Sequence, residues 1–552
     1  MGLVPVLLAA GCTSFAEPPG RDASARSVAE VGTSAPDAEV TVVADADPVT
    51  VAVSTSRALF DSAELVVVAA EDDVRATLLA AGAAVALGVP LLVEPQADGG
   101  AGLVADELER LGTTTVLGVG PAGDVSEGRR PDAGRDEREV VGVPADPAAI
   151  EQVTGLEFGP ADPVAPGEEP SAVAGLEPGE PVALRADGPA PGGGSPDPGP
   201  VPEVDRPEPL SGTVVLATGS PESVAGIATA RAAGARVLLT GGVPDPRAAP
   251  EVVEVLSGGS VERVVALGPE FAAEEGLDWK IETASAGRQL PAGGQLLFPA
   301  SFLVALYGTP GSAALGVLGE QGLEASIQRA RDTAAPYDGL VDATVVPSFE
   351  IIATVASSSP GPDGNYSTET DLEVLRPWVE AAGDAGLYVV LDLQPGRTDF
   401  LRQAEQYRAL LELPHVGLAL DPEWRLGPGE VHLQQVGSVG VDEVNAVVTW
   451  LADLTRENAL PQKLLVLHQF RLDMVRERER LDTSRDELAV MVHADGQGAQ
   501  PDKQATWQRL HEDAPAPLWW GWKNFYDEDL PMLTPEQTVA SVSPLPQLIS
   551  YQ

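Results

Sequence analysis

The sequence predicts an α/β protein in which parallel-sheet repeats precede a C-terminal (β/α)8 TIM-like barrel. Three observations carry this. Twice in the front half, apolar runs and Ala-rich amphipathic stretches follow one another in β-α-β-α-β order, which implies a parallel sheet with right-handed crossovers. From about residue 290 onward, eight strand-like runs alternate with helical stretches, the pattern of a barrel. All five His, all seven Tyr and seven of the eight Trp lie after residue 300. Ring-bearing and proton-transferring groups are what a site for a polar organic ligand needs, so any chemistry is expected in the barrel.

At 552 residues the chain has room for several domains, since single cores stop growing near ~250–300 residues. Its 83 acidic and 34 basic residues give a formal charge of -49. Such a chain repels nucleic acid and anionic membrane surfaces at long range, and nucleic acid is excluded as a partner. No glycine run sits between a strand and a helix as a phosphate loop requires, and no cofactor is expected.

Residues 1–12 read as an export segment. Met1 to Ala10 is a short apolar run followed by Ala9-Ala10-Gly11-Cys12, too short to span a bilayer and suited to a signal h-region. Cys12 is the only cysteine, so no disulfide or cysteine metal site can form. The run resembles the bacterial lipobox, although Ala9 stands where that motif has Leu. The resemblance implies a lipid anchor on Cys12 and a lipoprotein at the extracellular face of the membrane. Residues 13–48 lack periodicity and are expected to form a disordered tether.

The first α/β repeat spans 49–154. Glu64 to Ala70 is a buried-strand run, and Glu71-Asp72-Asp73 caps a helix that Gly88 stops. Val89 to Val93 is the next strand, Leu103 to Leu111 a helix and Thr115 to Val119 a third strand. Residues 155–211 are dense in Pro, Gly and acids and are expected to be a linker. The second repeat, 212–289, runs through a strand at Gly212–Thr218, a helix from Ser220 to Ala233, and strands at Ala235–Thr240 and Val261–Gly268. These segments resemble the cell-wall-binding repeat 2 family. The match is carried by Leu87-Gly-Val-Pro-Leu-Leu-Val93 and Glu107 to Gly120 in the first unit. In the second it is carried by Ala233-Gly-Ala-Arg-Val-Leu-Leu239 and Val264-Val-Ala-Leu-Gly268. It covers residues 50–125 and 211–272 and implies a wall-associated module whose partner is peptidoglycan or another envelope polysaccharide.

The barrel, 290–552, is expected to have strands at 301–307, 349–355, 387–393, 416–420, 464–470, 488–493, 517–521 and 548–551. Helices are expected at 372–383, 399–411, 441–458, 472–481 and 502–513. Function in this fold sits at the C-terminal ends of the strands. That rule selects Tyr307, Asp392, Gln394, Asp421, Glu423, His468, His493, Asp495, Trp520, Trp522 and Tyr526. The central stretch is Leu418-Ala-Leu-Asp-Pro-Glu-Trp424, where an apolar run delivers two acids beside an aromatic. In an extended chain Asp421 and Glu423 face one side roughly 6–7 Å apart, within the roughly 5–9.5 Å of paired glycosidase carboxylates. Pro422 cannot join a ladder, so Asp421 ends the strand and Glu423 enters the loop. One acid would then be ionised and the other raised against Trp424.

Asp421, Glu423 and Asp392 are the candidate catalytic residues. Tyr307, Gln394, His468, His493, Asp495, Trp520, Trp522 and Tyr526 are candidate substrate-binding residues. Asp421-Pro-Glu423 and Pro517-Leu-Trp-Trp-Gly-Trp522 loosely resemble the lysozyme-like barrels of glycoside hydrolase family 25, though Tyr307-Gly-Thr-Pro310 stands where that family has an acid. Other readings stay open. Asp392 can cap a helix, the histidines can be structural, and the tryptophans can close the barrel. His468, His493 and Asp495 can bind a metal in a metal-dependent hydrolase, and the barrel can be a scaffold without chemistry.

Overall fold

The computed structural model describes residues 27–96, 101–121, 138–186 and 199–552. Cys12 and most of the Pro/Gly-rich run 187–200 lie outside the described residues. The chain divides into two compact units, one of residues up to 36, 46–210 and 221–235, the other of residues 37–45, 211–220 and 236–552.

In the first unit the parallel sheet has the order Leu91–Glu94, Leu65–Ala70, Thr115–Val119, Glu139–Val143. Its central strand is apolar throughout because both faces are covered. The helix Val74–Leu87 starts where the Asp73 side chain accepts from the Ala76 amide at 2.9 Å. It ends at Gly88, whose φ of 79° is a left-handed conformation that glycine adopts without strain.

The boundaries differ from those read in the sequence. Val28–Thr33 and Val40–Val43 are strands, not tether. In the expected linker, Asp162–Val164 pairs with Leu184–Ala186, Glu203–Asp205 pairs with Val28–Thr33, and Glu169–Ala174 is a helix. Composition hides this order because few apolar side chains create it: Val164, Val173, Leu176, Ala183, Leu184 and Val201 are buried. The second repeat is not self-contained either. Its helix Val224–Ala232 is buried on every face and belongs to the first unit, where Thr229 Oγ1 bonds both the amide and the carbonyl of Leu91. Its strands Arg236–Leu239, Thr213–Ala217 and Arg263–Leu267 form a parallel sheet in the second unit, with Val40–Val43 added at the edge.

The rest of the second unit is a closed barrel of eight parallel strands. These are β1 (Ser301–Gly308), β2 (Thr344–Ala356), β3 (Tyr388–Leu393), β4 (Val416–Leu420), β5 (Lys463–Gln469), β6 (Leu488–Ala494), β7 (Trp519–Asn524) and β8 (Leu548–Tyr551). Closure is through β1 pairing with both β2 and β8. Expected helices appear at Leu372–Asp384, Val441–Glu457 and Gln500–His511. The expected helix 399–411 breaks at Tyr407, and 472–481 is two 3-10 turns around a short strand. That charged segment lacks an apolar stripe, and Glu477 takes a left-handed φ of 57°.

Alternation along each strand separates two cores. Leu303, Val390, Ala419, Val466, Met491 and Leu548 fill the barrel interior, while their neighbours pack outward against the helices. Interior space is tight at Gly417, where a Cβ would lie 2.7 Å from the Leu464 carbonyl oxygen and 2.9 Å from Tyr388 Oη. We expect Gly417→Ala to destabilise the barrel by about 1–3 kcal/mol through overpacking. Urea unfolding checks this, with a lowered midpoint at unchanged slope expected.

Candidate active site

The same alternation that fills the barrel with apolar side chains places a polar one at an inward position of each strand, close to the C-terminal end except on β2, where it lies mid-strand. β1 supplies Tyr307, β2 Glu350, β3 Asp392 and β5 His468. β6 supplies His493, β7 Lys523 and β8 Ser550, and Asp421 directly follows β4. All eight are buried. Beyond them, Glu423 and Asp495 stand at the partly exposed mouth.

His468 organises the cluster. Its Nε2 lies 2.8 Å from Glu350 Oε1 and 3.9 Å from Asp392 Oδ1. Its Nδ1 lies 3.1 Å from Asp495 Oδ2, a charge contact whose angle falls short of a hydrogen bond. Burial alone would lower the imidazole's pKa, but the Glu350 and Asp495 carboxylates hold it well above its ordinary value. Burial likewise pushes Glu350 up, and the His468 charge overrides it, bringing the carboxyl down to about 2. Asp495 is also lowered, because its contact with His468 outweighs burial. The deep site therefore holds an imidazolium between two carboxylates.

The remaining acids lack such a partner. Asp392 is pushed up to about 6 by burial, with the Glu350 charge adding to the rise. Asp421 is raised well above the carboxylate range by burial and by Glu423. Glu423 is raised to about 7 by burial, and of the neighbouring charges Asp495 raises it most, with Lys523 opposing. His493 is pushed down to about 3, chiefly by burial, and is neutral; its Nε2 bonds Ser550 Oγ at 3.1 Å. Tyr307 Oη donates to Asp392 Oδ2 at 2.9 Å, and Lys523 Nζ stands 3.4 Å above the Tyr307 ring. Gln394 joins through its Nε2, 3.4 Å from Tyr307 Oη.

Pro422–Trp424 is a 3-10 turn, because proline fixes φ as the strand ends. The extended spacing expected for Asp421 and Glu423 is therefore not formed. Instead Asp421 points into the closed interior, and Glu423 borders an open cavity of about 320 Å³ with Trp424, Leu433, Gln434, Gln435 and Val436. Neither acid of the pair is the ionised one; Glu350 and Asp495 fill that role. Asp392 caps no helix, since Asp399 takes that place at Phe400–Gln406.

Trp520 and Trp522 stand apart from the cluster. Gly521 and Lys523 face inward, so both indoles face outward, Trp522 in the outer core and Trp520 stacked on His511 at 3.5 Å. Tyr526 is also outside, against Tyr551 and Arg329. The sequence reading placed β7 two residues too early, because its apolar run begins at Pro517, whose missing amide keeps it out of the ladder. It also missed Glu350, although an acid in Phe349-Glu-Ile-Ile352 was visible as a charge inside an otherwise apolar strand. Among the described residues no group of three or more His, Cys, Asp or Glu side chains is arranged to hold a metal ion, and no helix is long and apolar enough to cross a membrane.

No protein-family profile matches the chain, and no curated protein sequence does. Among solved structures the chain is similar to Cwp6 from Clostridium difficile, with 14% identity and a TM-score of 0.31 over 59% of this chain and 64% of that one. The match spans less than two thirds of that protein's length.

The Glu423 shift has a stability consequence. Its folded pKa, about 7, is above the ordinary 4.5, so its contribution is fully present below pH 4.5 and is lost as pH rises through 7. Glu423→Gln cannot lose it. We expect E423Q and the parent to unfold at temperatures whose difference shifts in favour of E423Q between pH 4.5 and 8. A difference independent of pH would show that Glu423 is not raised.

Proposed function

We propose that the barrel binds and hydrolyses a carbohydrate of the cell envelope, with Glu423 as general acid and Asp495 as the charged carboxylate. The carrying observation is Glu423, held protonated near neutrality at the edge of an open cavity beside Trp424. Glycoside hydrolysis requires one carboxyl able to protonate the leaving oxygen and a second that stays ionised. Glu423 gives its proton to the glycosidic oxygen as the bond to the anomeric carbon breaks. Asp495, kept ionised by His468, stabilises the oxocarbenium-like charge, and water completes the hydrolysis. Asp392 and Asp421, closed off behind them, act by keeping the pocket acidic, which revises the catalytic trio read from sequence. Trp424 offers an aromatic face for a sugar ring.

A second reading is binding without cleavage. It is favoured by the tie of Asp495 to His468 at 3.1 Å, which limits its freedom to engage a reacting centre. In either case the location is proposed to be the cell surface. The lipobox-like run at Cys12 and the repeat resemblance at residues 50–125 and 211–272 support a lipid anchor and peptidoglycan or another envelope polysaccharide as partner.

Release of reducing ends from peptidoglycan and from amino-sugar oligomers tests the proposal. The parent chain is expected to cleave, with rate falling above pH 7 as Glu423 loses its proton. E423Q is expected to lose about 10²–10⁴-fold in kcat while retaining binding. Binding without cleavage by the parent supports the second reading, and full activity in E423Q contradicts the assignment of the acid.

A further inference from the structure

The loop that follows β4 holds its tip in a fixed place. Its two limbs meet at Gly437, whose amide donates to the Glu423 carbonyl oxygen at 2.8 Å. A Cβ there would lie 2.4 Å from that oxygen and 2.6 Å from the Pro422 carbonyl oxygen, so only glycine closes the loop. Arg425 ties the base to the helix Val441–Glu457, with Nε 3.0 Å from Glu443 Oε1. Nearer the tip, His432 Nε2 lies 2.9 Å from the Tyr366 carbonyl oxygen, and Gln435 Nε2 donates to the Val431 carbonyl oxygen at 2.8 Å. Between these two ties Leu433 takes a left-handed φ of 64° and is 89% exposed. A branched side chain rarely adopts that backbone, and no burial of the side chain offsets the strain. Strained residues cluster at ligand clamps, and Leu433 lines the cavity at Glu423.

The wall of that cavity decides what it can receive. At about 320 Å³ it is at the small end of ligand pockets, roughly 300–1,000 Å³. Leu433 and Val436 give it apolar surface, and Gln434 and Gln435 give it neutral amides, which both donate and accept. Glu423 is the one ionisable side chain among the lining residues. The cations that act on it, Lys523 and His468, are buried and stand outside the wall. Resting on the carbohydrate reading above, we propose that Leu433 is a specificity-determining residue, and that the sugar it receives is uncharged and carries a short N-acyl group. The acyl carbons pack on Leu433 and Val436, and the amide meets Gln434 and Gln435. A carboxylated sugar would bring an anion beside Glu423 with no cation in the wall to pair it. A hydroxyl in place of the acylamino group would leave Leu433 in water.

The test is calorimetric titration of the full chain at pH 6 with oligomers of N-acetylglucosamine, of glucose and of galacturonic acid. The acetylated oligomer is expected to bind about tenfold tighter than the glucose oligomer, as burial of Leu433 supplies, and the galacturonic acid oligomer most weakly. Leu433→Gly is expected to lose the preference for the acetylated oligomer. Its thermal unfolding midpoint is expected to stay at or above that of the parent, because glycine adopts the left-handed backbone without strain. A lowered midpoint would make Leu433 a structural residue and overturn its assignment. An unchanged preference in Leu433→Gly, or equal binding of the glucose oligomer by the parent, also overturns it and leaves the carbohydrate reading standing. Equally tight binding of the galacturonic acid oligomer overturns the uncharged sugar. Failure of all three oligomers to bind overturns the carbohydrate reading itself.

Discussion

The site depends on one buried charge group, the His468 imidazole held between Glu350 and Asp495. Taking an ion out of water costs several kcal/mol even after relaxation. His468 and Glu350 are both fully buried, so each stays charged chiefly through the other, with Asp495 adding to the hold on His468. Once that pair is formed, it sets the electrostatics of everything around it. The imidazolium's charge is matched by Glu350 and Asp495, so its pull on Asp392, Asp421 and Glu423 only partly opposes the burial that raises them. Their carboxyls rise in consequence, and Glu423 arrives near neutrality where a proton donor is useful.

Barrel geometry is the second constraint. A period of two along eight strands decides which side chains face in, and a shift of one residue exchanges the faces. That explains what was legible. Eight strands and most of their limits follow from apolar runs bounded by turn residues, and β4 and β8 coincide with their expected spans. The inward acids and histidines at 392, 421, 468 and 493 were found because each lies at the inward C-terminal end of a strand. The tryptophans were misplaced because strand-end position alone carries no information about phase. Gly521 between Trp520 and Trp522 was the missing clue. A Cβ there would lie 2.3 Å from His493 Cδ2, so the glycine marks the inward face and the indoles must turn outward. Glu350 was hidden by its apolar neighbours, although a lone acid in a doubly covered strand has few roles other than a buried pair.

The front of the chain shows the opposite failure. Local periodicity found the strands Leu65–Ala70, Leu91–Glu94, Thr115–Val119, Thr213–Ala217, Arg236–Leu239 and Arg263–Leu267, but it missed the helices Pro48–Leu59, Pro147–Thr154 and Leu277–Ala286 and the strand Glu139–Val143. It did not find how the second repeat's pieces divide between two units, because such pairing is non-local. Nor did it find the order in residues expected to be tether and linker. There, single buried residues such as Val173 and Val201 anchor polar stretches whose composition resembles disordered chain.

The buried group requires His468 to be an imidazolium at neutral and mildly alkaline pH. Nitrogen-15 NMR of the ring, assigned by its loss in His468→Gln, reads this directly. Both ring nitrogens are expected to stay protonated at pH 8, well above the ordinary titration range of histidine. A ring that has become a neutral single tautomer by pH 7 would contradict the account, because the carboxylates around it would then be left without their cation.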